Sequence, residues 1–315
     1  MRRVENLIER IRRETENEEF TPNTGISDEE IVDFLRDAQS DLQSAIARQH
    51  QDVFIAEKKM DVVYSQEAYD LPEDILLQNR ISKVWYSSSG DPRRNKRLRP
   101  SNLTERIFDR ASTPAMYIRR NRQLLLNPIP TKNVVQGLTI NYVKKLPDLD
   151  KRRAKIATVT LDTNTITSLF LDITAELERE ELLKEDHLCI VSKSGDQKMR
   201  RIPFTDIDPN TGEVILEAFT FEDGETAAAG DYIVSGYDAY NLSDLPDTCE
   251  RYLVSYGKLQ MFKRDSSYDS QEATSELMSM RDEIVEIFKE VDDDVKNIPI
   301  NDTQFIDDMD DWNFY

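Results

Sequence analysis

Histidine and cysteine are nearly missing from this chain: two of each in 315 residues. Zinc sites and Ser–His–Asp or Cys–His arrangements draw on these residue types. His50 and His187 have no neighbour at ligand spacing. Two histidines do not exclude an enzyme, but they remove the commonest general base; both are read as surface or packing residues. Cys189 and Cys249 define no disulfide framework and are read as reduced thiols packed as small hydrophobes. No Walker loop, GxGxxG turn, GxSxG elbow or HExxH helix is present. The acids are plentiful but lie in polar runs, and none stands out as a facing catalytic pair. No catalytic residue, metal or cofactor is therefore assigned. No apolar run approaches the ~20 residues of a membrane-spanning helix. Met1-Arg2-Arg3 opens into a charged amphipathic stretch rather than a signal peptide, so no membrane anchor is expected.

What the chain does have is charge, unevenly spread. Net charge is −20, with 41 Lys and Arg against 61 Asp and Glu. Residues 79–155 hold 19 of the basic and 5 of the acidic residues, a net of +14, which leaves 22 basic and 56 acidic elsewhere. An acidic body repels nucleic acid; a basic middle calls for an anionic partner, protein or DNA.

Periodicity predicts helices first. Val4, Leu7, Ile8 and Ile11 recur at helical spacing. After a linker with Pro22 and Gly25, Ser27-Asp28-Glu29-Glu30 is a capping box. It opens a helix with the stripe Ile31, Phe34, Leu35, Ala38, Leu42, Ala45 and Ile46, and two antiparallel helices are expected. From Val53 the texture turns to β-branched and aromatic runs broken at proline, as in an antiparallel meander, with a short helix over 102–109. Strand candidates recur from 157 to 236 as a small sandwich or barrel, interrupted by a short acidic helix over 175–184. Asp206, Asp208, Asn210 and Glu217 match four calcium-loop positions, but Thr211 takes the glycine position and strands flank the loop; a hairpin turn is expected. Helix returns with Cys249, Tyr252, Leu253, Tyr256 and Leu259, then Leu277, Met280, Ile284, Ile287 and Phe288. The expected class is α+β: an antiparallel helical bundle, an antiparallel β region, an inserted small β sandwich or barrel, and an extended C-terminal tail. The expected segments are 1–52 (helical pair), 53–156 (β-rich with a basic loop), 157–240 (second β unit), 241–290 (helices completing the bundle) and 291–315 (tail).

Two sets of residues are candidate sites. Arg93, Arg94, Lys96, Arg97 and Arg99, with Arg119, Arg120 and Arg122 and later Lys151, Arg152 and Arg153, can neutralise phosphates or pair with carboxylates of a neighbouring subunit. A plain solvated face is the alternative. In the tail, Ile298, Ile300, Phe305, Ile306, Trp312, Phe314 and Tyr315 stand among acids. Aromatics of this kind anchor interfaces, so the tail is read as folding on a partner.

The chain resembles head-to-tail adaptor (connector) proteins of tailed bacteriophages. The carriers are Ile26-Ser27-Asp28-Glu29-Glu30-Ile31-Val32-Asp33-Phe34-Leu35 with Leu42 and Ala45, then Tyr69-Asp70-Leu71-Pro72-Glu73-Asp74 and Pro114-Ala115-Met116-Tyr117. Leu124-Leu125-Leu126-Asn127-Pro128-Ile129-Pro130, Leu138-Thr139-Ile140-Asn141-Tyr142 and Leu245-Pro246-Asp247-Thr248-Cys249-Glu250-Arg251-Tyr252-Leu253 complete them. The resemblance implies a non-enzymatic virion protein, made in the host cytoplasm. It implies a ring, commonly twelve-fold, beneath the portal protein, with helices around the passing DNA and the tail segment reaching onto the portal. Tail hub, nozzle or tail-tube proteins and identical subunits are the implied partners. A DNA-binding module using the 93–99 loop, another tail or baseplate protein, and a carboxylate-based wall hydrolase are the competing readings.

Overall fold

The computed structural model describes residues 3–16, 25–76, 81–89, 95–102, 112–162, 165–174, 178–217, 219–220, 226–264 and 270–296. The class is mixed α+β, as expected. The chain divides into two compact units, one of Met1–Ser44 with Lys145–Arg281 and the other of Ala45–Lys144 with Asp282–Tyr315.

Helix α1 (Val4–Glu16) buries all four residues of its predicted stripe. Helix α2 (Asp28–Gln49) starts on the predicted capping box. The Glu30 amide donates to Ser27 Oγ at 3.3 Å, and the Ser27 amide donates to Glu30 Oε2 at 3.2 Å. Ile31, Leu35, Ala38, Leu42 and Ile46 are fully buried, each large aliphatic worth roughly 1.5–3 kcal/mol. The strand expected from Val53 starts later. The His50 amide still donates to the Ile46 carbonyl at 2.7 Å, and a 3-10 turn, Gln51–Phe54, continues the winding before the chain extends.

The second unit then holds β1 (Ile55–Val62), β2 (Ala68–Asp70), β3 (Ile81–Ser87), β4 (Asn95–Arg97), β5 (Arg99–Pro100), β6 (Met116–Arg120), β7 (Gln123–Asn127) and β8 (Val134–Val143). The predicted meander is in fact two four-stranded sheets, ordered β1-β8-β3-β4 and β2-β7-β6-β5. They share one core, to which Val84, Leu138 and Ile140 come from the first sheet and Tyr69, Tyr117 and Leu124 from the second. Leu98 is the pivot between them. It is buried, its amide donates to the Val84 carbonyl at 2.8 Å, and it separates β4 in one sheet from β5 in the other. The β5–β6 ladder is parallel. The helix expected over 102–109 lies almost wholly outside the described residues.

The first unit continues with β9 (Asp148–Leu149), β10 (Ala154–Asp162), β11 (Thr165–Leu171), the short helix α3 (Arg179–Leu182), β12 (His187–Val191), β13 (Gln197–Ile207), β14 (Val214–Leu216), β15 (Tyr232–Ser235) and β16 (Ala239–Tyr240). Six of these strands form one sheet, β11-β10-β15-β12-β13-β14. Its two edges meet: the Leu171 amide donates to the Gly212 carbonyl at 2.8 Å, and Phe170 bridges to Glu213. The choice between sandwich and barrel thus falls to a nearly closed barrel around Ile156, Leu169, Leu188, Ile190, Ile202 and Ile233. Closure needs glycine at 212. Its φ is +72°, and a Cβ there would stand 2.5 Å from the Leu171 carbonyl oxygen. The loop with calcium-like spacing is a hairpin turn. Asp208 accepts from the Asn210 amide at 2.8 Å and the Thr211 hydroxyl at 2.9 Å, bonds that hold its carboxyl below the ordinary value.

Helices α4 (Glu250–Phe262) and α5 (Gln271–Lys296) close the described chain. Apolar periodicity fades after Phe288, and an extended segment was expected from 291. The helix runs on to Lys296 because no breaker occurs before Pro299. Ile287, expected in the core, is exposed. No described helix is long and apolar enough to cross a membrane.

Helix α1 packs on α4 where Gly257 lets them approach. A Cβ at Gly257 would fall 2.7 Å from Ile11 Cδ1. Gly257→Leu is expected to lower unfolding stability by about 1–3 kcal/mol through overpacking, read as a lower urea midpoint at unchanged slope.

Candidate functional site

The predicted basic run lands on sheet edges. β4 and β5 are the last strands of their sheets. Lys96 and Arg97 are exposed on β4, and Arg99 on β5. β6 ends in exposed Arg119 and Arg120, and the turn into β7 is Asn121-Arg122. Asn121 takes φ +53°, a left-handed conformation that Asn tolerates well. Arg122 Nη2 donates to the Glu73 carbonyl at 3.3 Å.

The sheet pivot at Leu98 brings parts of this set together. Burial pushes the Tyr117 phenol up, while the charges of Arg119 and Arg97 pull against it. Guanidinium groups from β6 and β4 therefore act on one ring. Beside them Pro100, Ser101, Asn102, Tyr117 and Arg119 line a shallow polar concavity. Charged side chains on edge strands have a second use, since they block edge-to-edge pairing with stray strands. Arg93 and Arg94 lie outside the described residues, as do Ile298, Ile300, Phe305, Ile306, Trp312, Phe314 and Tyr315.

The last three members of the predicted basic set are drawn inward rather than left on a free surface. Lys151, Arg152 and Arg153 follow Asp150, which has no exposure. Arg153 grips Asp150 with two bonds, Nη2 to Oδ1 at 2.5 Å and Nε to Oδ2 at 3.1 Å. The Ser235 amide adds a bond to Oδ2 at 2.7 Å, and Arg36 Nη2 approaches Oδ1 at 3.4 Å. Arg153 Nη1 also meets Glu29 at 2.5 Å and Glu178 at 2.9 Å. Lys151 bridges the same two glutamates at 3.0 and 2.5 Å. Arg152 lies over the Tyr232 ring, 4.3 Å from its centroid, and its Nη2 donates to the Lys193 carbonyl at 2.8 Å. The three cations proposed for an anionic partner are thus committed to internal contacts.

Burial pushes the Asp150 carboxyl up, with Arg153, the Ser235 amide and Arg36 opposing it. Burial also works against the charge of Arg153. Its bonds to Asp150 and Glu29 outweigh that and hold the guanidinium above its ordinary value. For Glu29 burial again acts upward, and Arg153 and Lys151 outweigh it, leaving the carboxyl below its ordinary value. Asp150, Glu29 and Glu178 were missed as members of one network. They come from a strand end, a helix and the approach to α3, and nothing in local spacing links them.

The two cysteines are buried, which pushes both thiols up to about 11. Among the described residues no group of His, Cys, Asp and Glu is placed to hold a metal ion.

Arg153→Met leaves Asp150 buried and without its bidentate partner. The expected loss is about 3–5 kcal/mol in urea unfolding. Glu29 has a lowered folded-state value, so its contribution is present above the ordinary 4.5 and is lost as pH falls through the folded value. Glu29→Gln is accordingly expected to flatten the acid limb of a stability–pH curve below about 4.5, while the Met278→Leu control keeps it.

Comparison with known proteins adds the family. The SU10 adaptor protein family model matches residues 3–171, over half of the chain. The matched stretch takes in α1, α2, both four-stranded sheets and the β10–β11 hairpin. No individual curated protein matches. The resemblance read from the sequence is borne out, and the chain belongs to the SU10 adaptor protein family, with the structural role of a phage adaptor.

Proposed function

We propose that this chain is the head-to-tail adaptor of a tailed phage, assembled as a ring beneath the portal, joining the capsid to the tail and lining the DNA channel. The observation that carries the reading is the adaptor-family match over residues 3–171. A twelve-fold ring is the stoichiometry the resemblance favours. In such a ring every subunit offers one surface to the next, so two different faces must be complementary. The exposed basic residues Lys96, Arg97, Arg99, Arg119, Arg120 and Arg122 supply one, and the sequence assigns Arg93 and Arg94 to the same contact. The other is acidic, in a chain of net charge −20. The tail segment, with Ile298, Ile300, Phe305, Ile306, Trp312, Phe314 and Tyr315, is the portal contact. It carries five Asp and no Lys or Arg after Lys296, so it suits a basic groove with apolar pockets. Tail hub, nozzle or tail-tube proteins take the opposite end of the ring.

DNA binding by the basic edge is the second reading, favoured by the same exposed arginines. Phosphate contacts make affinity fall steeply with salt.

The test is sedimentation with purified portal rings from the same phage. The full chain is expected to join the rings, and the chain lacking residues 299–315 is expected to stay behind. Failure of the full chain to join overturns the adaptor reading. Joining by the shortened chain moves the portal contact away from the tail. Arg97→Glu with Arg119→Glu is expected to abolish self-assembly without unfolding. A salt-steep shift of duplex DNA that these changes remove would give the basic edge to DNA instead.

A further inference from the structure

The barrel carries another basic cluster, which no motif announced. Met199 pairs with Ile190 and Ile202 pairs with Leu188, so two residues of β13, Arg200 and Arg201, stand against Cys189 alone. This is a β-bulge, a device that bends a strand and re-aims its side chains. Arg201 takes φ +58°. A non-glycine residue in that region is strained, and such strain is kept where surrounding structure and function demand the side chain.

The bulge aims both arginines at the loop between β15 and β16. Arg200 Nη1 lies 3.9 Å from Asp238 Oδ1, and Arg201 Nη2 lies 4.0 Å from Asp238 Oδ2. Both distances exceed a hydrogen bond. Among the described residues neither guanidinium has a hydrogen-bond acceptor, and Arg201 Nε and Asp238 Oδ1 are buried without a hydrogen-bond partner. The Arg201 guanidinium sits over the Tyr237 ring, 4.9 Å from its centroid, and His187 meets the same ring edge-on at 4.9 Å. Tyr237 is nonetheless 41% exposed. Two guanidinium groups held to Asp238 only by long ion pairs thus stand beside a partly exposed aromatic ring.

We propose that Arg200, Arg201 and Tyr237 form a docking site for an acidic segment of a partner protein, whose carboxylate completes the arginine pair and whose adjoining apolar side chain covers Tyr237. Guanidinium forks match carboxylates in geometry and charge, and Arg and Tyr dominate the energetics of protein interfaces. An apolar neighbour for the Tyr237 ring is what a peptide segment supplies beside its carboxylate. The site belongs to the first unit and does not depend on which particle protein supplies the segment.

The test uses the full chain and a fluorescein-labelled peptide of alternating Asp and Phe, followed by fluorescence anisotropy. The wild type is expected to bind it, and the same peptide with Asn for Asp is expected to bind about tenfold more weakly or less. Arg200→Gln is expected to cause a loss of about tenfold or more. Arg201→Gly separates structure from docking: it relieves the positive φ, so the melting temperature holds or rises while peptide affinity falls. Equal peptide binding by wild type, Arg200→Gln and Arg201→Gly overturns the proposal. So does competition by a short duplex DNA that displaces the peptide at equal phosphate and carboxylate concentration, which would assign the arginines to nucleic acid.

Discussion

A carboxylate sealed from water organises the first unit. Asp150 has no exposure, and an unpaired charge there would cost several kcal/mol after relaxation. The chain can bury it only if Arg153, the Ser235 amide and Arg36 arrive together. That requirement fixes the end of β9 against β15 and α2 at once. The neighbouring bonds extend the constraint. Asn241 Nδ2 donates to the Asp150 carbonyl at 3.1 Å and to Glu5 at 2.9 Å, and Glu5 accepts from the Arg152 amide at 2.8 Å. Helix α1 is thereby tied to the same strand end. A network of this kind adds little net stability compared with a packed apolar core, but it penalises every misplaced arrangement that leaves one charge behind.

Local signals were legible and spatial ones were not. The capping box at Ser27, the stripe of α2 and the strand His187–Val191 each follow from residues within a turn or two of one another. Strand order does not. The segment around Leu98 reads as one basic run, yet the buried leucine splits it between two sheets. The bulge at Arg200-Arg201 leaves no trace in hydropathy, since two successive arginines fit an exposed strand as readily as a strained one. The run Lys151-Arg152-Arg153 looked like a surface because three successive cations usually are. Its carboxylate partners Glu29 and Glu178 lie far away in the chain, where periodicity has no reach.

The family match stops at Leu171, the end of β11, inside the barrel. The barrel cannot be complete there. β10 pairs with β15 through Ala154 and Lys155, and the free edge of β11 meets the turn before β14. Apolar residues of β10 and β11 are therefore exposed to water unless the strands beyond 171 fold over them. The later strands belong to the same cooperative body as the matched hairpin, and a chain cut at 171 would lose the core around Leu188, Ile190 and Ile202.

These placements change how the charge pattern acts. By count the middle of the chain is +14, but Lys151 and Arg153 are neutralised within their own unit, and Arg152 is spent on Tyr232 and Lys193. Among the described residues the basic surface that remains is smaller and includes Lys96, Arg97 and Arg99 on the edge strands with Arg119 and Arg120 on β6. Screening at physiological salt cuts exposed charges off beyond about 8 Å, so such an edge acts on what touches it and not at a distance. The surplus acid, by contrast, is spread over the rest of the chain. Such short-range contacts are the ones through which the exposed cations of the middle segment can act on an anionic neighbour.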